Sequence, residues 1–173
     1  VKEFKAQKYT LKKGQTLFAT YTWLGQVGSR NASKDNYTLL VDALGEHGSD
    51  IDYVQIFDEA HEMANTRGNV DDQNATRTTA RGSNKATAGL KLQRAFPNSR
   101  VLYMTATSGY EPQHIAFADR LGIWGAGRPW SNAGEFINEI KQGGVSAMEL
   151  VTLGLKARGL YNSKTLSYDG TEF

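Results

Sequence analysis

Cysteine is absent from the 173 residues of this chain, and histidine occurs only three times. Without cysteine there are no disulfides and no thiolate zinc sites. His47, His61 and His114 stand too far apart in sequence to indicate a metal cluster. These absences predict a cytoplasmic protein without a structural metal.

A charge bias and long hydrophobic runs are also lacking. The 20 basic and 18 acidic side chains leave a net charge of +2, so bulk charge does not indicate a nucleic-acid or membrane partner. No apolar stretch approaches the length of a membrane span, and the N-terminus lacks the pattern of a signal peptide. We therefore expect no membrane partner, and the length suits one globular domain.

The hydrophobic pattern that is present switches between helical and extended periods along the chain. Helices are predicted at residues 34–48, 85–96, 114–122, 133–142 and 147–159, and strands at 16–20, 54–58, 101–107 and 166–173. Strands that alternate with helices require crossover connections, which favour parallel pairing. The sequence therefore predicts an α/β fold in which a mainly parallel sheet is flanked by helices.

One segment, residues 62–84, is polar and has no apolar period. It is rich in Asn, Thr, Arg and Gly. Long structureless stretches inside compact domains are usually functional or disordered. We therefore predict a mobile loop at 62–84 that becomes ordered when a partner binds.

Polar residues follow two of the predicted strands. Asp58 and Glu59 come after VQIF, and Thr105 and Thr107 close VLYMTAT. Ligands bind beyond the carboxyl ends of parallel strands, so we expect these residues to share one edge of the sheet. The pair suits nucleotide hydrolysis, because one carboxylate can hold Mg²⁺ through its waters while the other activates a water. Taken alone, an Asp-Glu pair is better explained as the solvated end of a strand than as a catalytic site.

Two short motifs carry a family resemblance. DEAH at residues 58–61 and TAT at 105–107, each after a hydrophobic strand, resemble motifs II and III of superfamily 2 helicases and translocases. The segments at 17–24, 108–130 and 135–168 are similar to the strawberry notch family. The resemblance covers most of the chain and implies the second half of a three-layer, RecA-like P-loop NTPase domain.

The resemblance implies roles for the residues of the first motif. Asp58 would bind the Mg²⁺ of Mg-ATP, Glu59 would act as the catalytic base, and His61 would couple the nucleotide site to a second motor domain. ATP and Mg²⁺ are thus the expected cofactors. The implied activity is that of an ATP-dependent helicase or translocase.

The resemblance also implies contacts with nucleic acid. Thr105, Ala106 and Thr107 would link hydrolysis to the grip on nucleic acid, and Thr20 and Tyr21 would contact the sugar-phosphate backbone. Bacterial and phage relatives favour DNA over RNA and imply a nucleoid-associated location in the cytoplasm. Tyr21 is equally explained as a packed aromatic residue.

A phosphate-binding loop of the form G-x-x-x-x-G-K-[ST] does not occur, because the sequence has no Gly-Lys dipeptide. We expect this loop to precede Val1, and a second RecA-like domain with its arginine finger to follow Phe173. The phosphate-loop strand would then lie beside the 101–105 strand, which otherwise has a bare edge. On its own, the chain is expected to hydrolyse little or no ATP.

Two alternative functions stay open on the sequence. One is a catalytically inactive interaction module that keeps the motor fold as a scaffold, although a scaffold would not need both carboxylates. The other is a nuclease-like site in which Asp58 and Glu59 bind metal, with Asp71 and Asp72 as the nearest additional carboxylates in sequence.

Four other side chains have mainly structural interpretations. Trp124 and Trp130 flank a turn-rich segment, which favours aromatic packing against the sheet edge over base stacking. His114 is predicted to be a partly exposed helix residue. Arg120 is predicted either to meet phosphate or to be an ordinary surface charge.

Overall fold

The computed structural model describes residues 13–26, 35–45, 53–64, 84–106 and 112–163. Within these ranges the α-helices and strands are α1 (Tyr21–Leu24), α2 (Asn36–Gly45), β1 (Val54–Phe57), α3 (Asn84–Ala95), β2 (Arg100–Tyr103) and α4 (Ala133–Ala157). Three 3₁₀ helices lie between them, at Ala60–Met63, Pro112–Ile115 and Asp119–Leu121. The predicted strand 166–173, Thr107 and residues 65–83 of the predicted loop lie outside the described residues.

The two strands form a parallel pair joined through α3. Val54 lies opposite Arg100 and Phe57 lies opposite Tyr103. The Met104 amide donates to the Phe57 carbonyl at 2.9 Å, which extends the pairing just past the strand ends. A parallel pair with a helical crossover confirms the predicted α/β class.

One face of this pair is buried and the other is exposed. The rings of Phe57 and Tyr103 stack at 5.8 Å, and Phe117 meets Tyr103 edge-on at 5.5 Å. The opposite face carries four apolar side chains that are 43% to 61% exposed: Val54, Ile56, Leu102 and Met104. Parallel sheets are normally covered on both faces, so this exposed face is an unusual feature of the described residues.

Helix α3 covers the buried face. Ala86, Ala88 and Leu92 belong to the same core cluster as Phe57. A methyl group at Gly89 would lie 2.4 Å from the sulfur of Met63, so glycine allows the 3₁₀ helix after β1 to approach α3 closely. The helix therefore fixes the position of the segment that follows β1.

The predicted strand at 16–20 is wrong. Residues 15–20 have no regular structure, and Thr20 is instead the N-cap of α1, with its hydroxyl oxygen accepting from the Trp23 amide at 3.1 Å. Threonine serves both as a β-branched strand residue and as a cap, and here capping prevails. Gly25 is the C-cap of α1, and a Cβ there would lie 2.5 Å from the Lys85 nitrogen.

The predicted loop at 62–84 is ordered at both ends, and the predicted strand at 101–107 is shorter than expected. Glu62 and Met63 belong to a 3₁₀ helix and Asn84 begins α3, so the ends of the predicted loop are ordered. Strand β2 ends at Tyr103, and Met104 and Thr105 continue without strand structure.

The predicted helix at 114–122 is also wrong. The segment forms two 3₁₀ helices separated near Ala118, whose φ of −91° and ψ of 57° are not helical. Four consecutive residues, 115–118, are buried, whereas an amphipathic helix would expose one side of each turn. The predicted stop is confirmed at Gly122, which adopts a left-handed φ of 62°.

Helix α4 begins and breaks where the sequence predicts. The Asn132 side-chain oxygen accepts from the Glu135 amide at 2.9 Å, which is an N-cap. Gly144 has a φ of 67° and a ψ of −153°, so the helix is interrupted there rather than continuous. Trp124 and Trp130 pack on Phe136 of α4, at 5.4 and 5.0 Å, and not against the sheet edge as predicted.

Arg120 joins the end of α3 to the segment that follows β2. Its guanidinium donates to four main-chain carbonyls, those of Gln93, Phe96, Pro97 and Ser99. The last carbonyls of a helix have no partner within the helix. A cationic side chain near them is also stabilised by the partial negative charge at that end of the helix dipole. Arg120 is therefore a structural side chain and not an ordinary surface charge.

We expect Arg120→Met to lower the free energy of unfolding by about 3 kcal/mol, because it leaves carbonyls without their charged donor. Arg94→Met is the matched control, since Arg94 forms a surface ion pair with Asp119 at 2.7 Å and its loss should cost less than about 1 kcal/mol. Urea unfolding followed by circular dichroism measures both. Equal midpoints for the two variants would contradict the assigned role of Arg120.

Candidate active site

The acidic pair occupies a tight turn at the end of β1. Glu59 adopts a left-handed conformation, with φ of 47° and ψ of 48°. The Asp58 carboxylate accepts a hydrogen bond from the Glu59 amide at 3.0 Å. A non-glycine residue in this conformation is uncommon and is found where surrounding contacts impose it. Both carboxylates are exposed at this turn.

The residues after the turn are anchored firmly. The Ala60 amide donates to the Met104 carbonyl at 2.9 Å, and Ala60 and Met63 are fully buried. The end of β1 is thus tied to the end of β2. Asp58 and Thr105 therefore lie at the same edge of the sheet, as the sequence predicts.

His61 connects the acidic turn to the second strand end. Its Nδ1 lies 3.2 Å from Glu59 Oε2 and 3.2 Å from Thr105 Oγ1. A proton on Nδ1 would be shared between the carboxylate and the hydroxyl oxygen, so the imidazole can orient Glu59 while it contacts Thr105. The structure thus brings together three of the residues predicted from the two motifs.

Ala106 follows Thr105 and is exposed. Thr107 lies outside the described residues. The predicted nucleic-acid contacts, Thr20 and Tyr21, already have partners within the domain: Thr20 caps α1, and the Tyr21 hydroxyl donates to the Asp58 main-chain oxygen at 2.8 Å. Their contact with nucleic acid stays a prediction.

Tyr21 is a neighbour of the acidic turn that the sequence did not assign to it. The pKa of Tyr21 is raised to about 12. Burial of the ring is the largest cause, and the negative charges of Asp58, Glu62 and Glu59 add to it. The phenol therefore keeps its proton at neutral pH and remains a hydrogen-bond donor. Tyr21 and Asp58 stand 37 residues apart, so no local pattern could have indicated this contact.

A third acid close to the turn is directed elsewhere. The Glu62 carboxylate pairs with the Lys85 ammonium group at the start of α3. The hydrogen bond from Lys85 and its charge lower the pKa of Glu62. Glu62 therefore differs from Glu59, whose carboxylate faces the imidazole of His61.

The donor set at this edge fits a divalent metal ion held together with a nucleotide. Among the described residues, no three His, Cys, Asp or Glu side chains form a group that could enclose a metal ion. Mg²⁺ is commonly bound by one or two carboxylates together with waters and phosphate oxygens, which Asp58 and Glu59 can satisfy. Asp71 and Asp72, which the nuclease alternative would need, lie outside the described residues.

A separate polar groove of about 500 Å³ runs along the start of α4 and shares no residue with this edge. Its acids are already engaged, because Glu135 binds Ser131 and Glu139 accepts from Trp130 Nε1 at 2.7 Å. The strand-end carboxylates are the better candidates for chemistry.

Across the described residues, no helix is both long enough and apolar enough to cross a membrane.

Comparisons with known proteins identify the family. The sequence profile described as "P-loop containing NTP hydrolase pore-1" matches residues 1–173. Strawberry notch homolog 1 of Gallus gallus is 37% identical over 168 residues, which cover 95% of this chain. The strawberry notch homolog of Caenorhabditis elegans is 36% identical over 166 residues (95% of this chain), and FORGETTER 1 of Arabidopsis thaliana is 35% identical over 163 (94%). No solved structure matches.

The chain spans 8% to 12% of the length of these relatives. All three are eukaryotic, so the bacterial or phage origin suggested by the resemblance stays a prediction. P-loop NTPase domains bind nucleotides, generally with a divalent metal ion. A profile match over the whole chain shows that it belongs to the P-loop NTP hydrolase family, an NTPase and helicase-like motor family, and that it is a strawberry notch-like domain.

Proposed function

We propose that this domain hydrolyses ATP as part of a superfamily 2 helicase or translocase motor acting on nucleic acid, with Asp58 and Glu59 as its catalytic carboxylates. The observation that carries the proposal is the position of His61 Nδ1, 3.2 Å from both Glu59 and Thr105. A motor needs its catalytic carboxylate to be connected to the element that contacts nucleic acid. These three side chains form such a connection across two strand ends.

The two carboxylates would divide the chemistry between them. Asp58 would bind Mg²⁺ through its waters, and its hydrogen bond from the Glu59 amide holds the carboxylate in place. When bound, Mg²⁺ supplies positive charge that neutralises the phosphates. Glu59 would orient the attacking water and accept its proton, while His61 restrains the direction of the Glu59 carboxylate.

The hydroxyl of Thr105 would couple nucleotide hydrolysis to the residues that bind nucleic acid. A change of charge at Glu59 alters its attraction for His61, and His61 also contacts Thr105. Thr105 leads into Ala106 and Thr107, which would complete the coupling segment. Thr20 at the N-cap of α1 would add a contact with the sugar-phosphate backbone, with DNA favoured over RNA and a location on nucleic acid in the cytoplasm.

The parent polypeptide would supply the phosphate-binding loop and a second RecA-like domain. The four apolar side chains on the open face of the β1–β2 pair support this, since parallel sheets are covered on both faces. The small share of the relatives' length that the chain spans is also consistent with a larger protein. The chain alone would then show little or no ATP hydrolysis.

The catalytic base is tested by Glu59→Gln in the full-length polypeptide. We expect the nucleic-acid-stimulated ATPase rate to fall at least about 100-fold, because the amide cannot accept the proton of the attacking water. Glu62→Gln is the matched control: it removes a neighbouring carboxylate that is paired with Lys85, and turnover should be retained.

Full turnover in Glu59→Gln would rule out Glu59 as the base. Equal losses in both variants would indicate a general effect of local charge. Absence of stimulated ATPase in the unmodified full-length polypeptide would favour the inactive scaffold.

The coupling role is tested by Thr105→Val, which removes the hydroxyl and keeps the shape of the side chain. We expect the stimulation of ATPase by nucleic acid to fall at least about five-fold, since the contact between the two strand ends is lost. Rates are measured with and without single-stranded DNA, and separately with RNA, to identify the preferred partner.

The control for this variant is Thr152→Val, which removes a hydroxyl that donates to the Glu149 carbonyl within α4. If Thr105→Val and Thr152→Val respond alike to nucleic acid, Thr105 has no specific coupling role.

A further inference from the structure

The main-chain oxygen of Asp58 is bound by a side chain from a distant part of the sequence. On one side of it, the Phe57 carbonyl accepts from the Met104 amide; on the other, the Ala60 amide donates to the Met104 carbonyl. The Asp58 carbonyl lies between these two bonds and accepts from the Tyr21 hydroxyl at 2.8 Å. A phenol thus completes the hydrogen bonding of the turn that carries both carboxylates.

The support beneath this hydroxyl is rigid. The ring of Tyr21 is partly buried and packs against the core cluster that includes Phe57 and Ala60. Helix α1 is fixed at its start by the Thr20 cap and at its end by the close approach of Gly25 to Lys85. A group held in this way can impose a geometry on its partner.

The turn needs such a restraint. Glu59 occupies the left-handed region, which residues with side chains rarely adopt. Asp58 and Glu59 are also adjacent like charges, and like charges favour conformations that move them apart. The contact from Tyr21 fixes the peptide before Glu59, and the bond from Ala60 to Met104 fixes the peptide after it.

We propose that Tyr21 is a positioning residue for the Asp58–Glu59 turn. Its hydroxyl holds the Asp58 carbonyl and thereby sets the backbone twist of Glu59 and the direction of both carboxylates. The catalytic consequence rests on the proposed function; the effect on the turn does not. This role differs from the nucleic-acid contact expected of Tyr21 from the sequence, because the hydroxyl acts through Asp58 and not on a ligand.

The first test examines the turn without reference to activity. Tyr21→Phe keeps the ring and removes only the hydroxyl. Tyr37→Phe is the matched control, because the Tyr37 hydroxyl also bonds a main-chain oxygen, that of Lys91 in α3, at 3.5 Å. In ¹⁵N NMR spectra of the chain, we expect Tyr21→Phe to shift the amides of Glu59 and His61, and Tyr37→Phe to leave them in place. Unshifted amides in Tyr21→Phe would overturn the proposal.

The second test measures the consequence for turnover in the full-length polypeptide. We expect Tyr21→Phe to lower kcat roughly ten-fold with KM for ATP little changed, both with and without nucleic acid. Tyr37→Phe should keep the unmodified rate. A loss confined to the nucleic-acid-stimulated rate, with weaker nucleic-acid binding, would instead assign the hydroxyl to nucleic acid and overturn the positioning role.

The two proposals fail separately. Full turnover in Glu59→Gln would end the proposed function, while the amide shifts would still decide whether Tyr21 holds the turn. A strong defect in Glu59→Gln beside full kcat in Tyr21→Phe would end the positioning role alone.

Discussion

The hydrogen bond from the Ala60 amide to the Met104 carbonyl, 2.9 Å long, is the constraint on which the site depends. It joins the two strand ends just beyond the paired residues of the sheet. Because it follows immediately after Glu59, it forces the chain to turn at that residue and to send His61 toward Thr105. Without this bond, the two motifs would still lie at the same edge of the sheet, but His61 of the first would not contact Thr105 of the second.

Helix α3 packs on the buried face of the sheet and supports this arrangement. Two glycines permit close approach to it: Gly89 admits Met63 of the 3₁₀ helix, and Gly25 lets the end of α1 contact the start of α3. Arg120 then secures the other end of α3 by binding the carbonyl of Gln93 in its last turn and that of Phe96 just beyond it. The exposed carboxylates therefore stand on a support that is fixed at both ends, which is what a site with precise geometry requires.

Local patterns predicted the elements whose burial is periodic and failed where it is not. Strand β1 was predicted because β-branched and aromatic residues crowd it, and the break at Gly144 falls between the helices predicted at 133–142 and 147–159. Residues 115–118 are all buried, so the hydrophobic period of this segment could not distinguish an α-helix from 3₁₀ turns. Thr20 fitted both a strand and a cap, and only packing decided between them. The site motifs were found, but the partners of Tyr21 and Arg120 were not, since side-chain contacts with distant carbonyls leave no pattern in sequence.

The outer edge of β2 and the strand ends that carry the carboxylates are related by the direction of the strands. Ile56 and Leu102 leave an apolar surface on the side opposite α3, and β2 has no described neighbour on its outer edge. A further parallel strand placed beside β2 would end at the same edge as Asp58, because parallel strands share their carboxyl ends. A phosphate-binding loop that followed such a strand would then face the carboxylates directly. Under the proposed function, such a strand would both pair with the outer edge of β2 and complete the nucleotide site, so the stability and the activity of the domain would depend on the same neighbour.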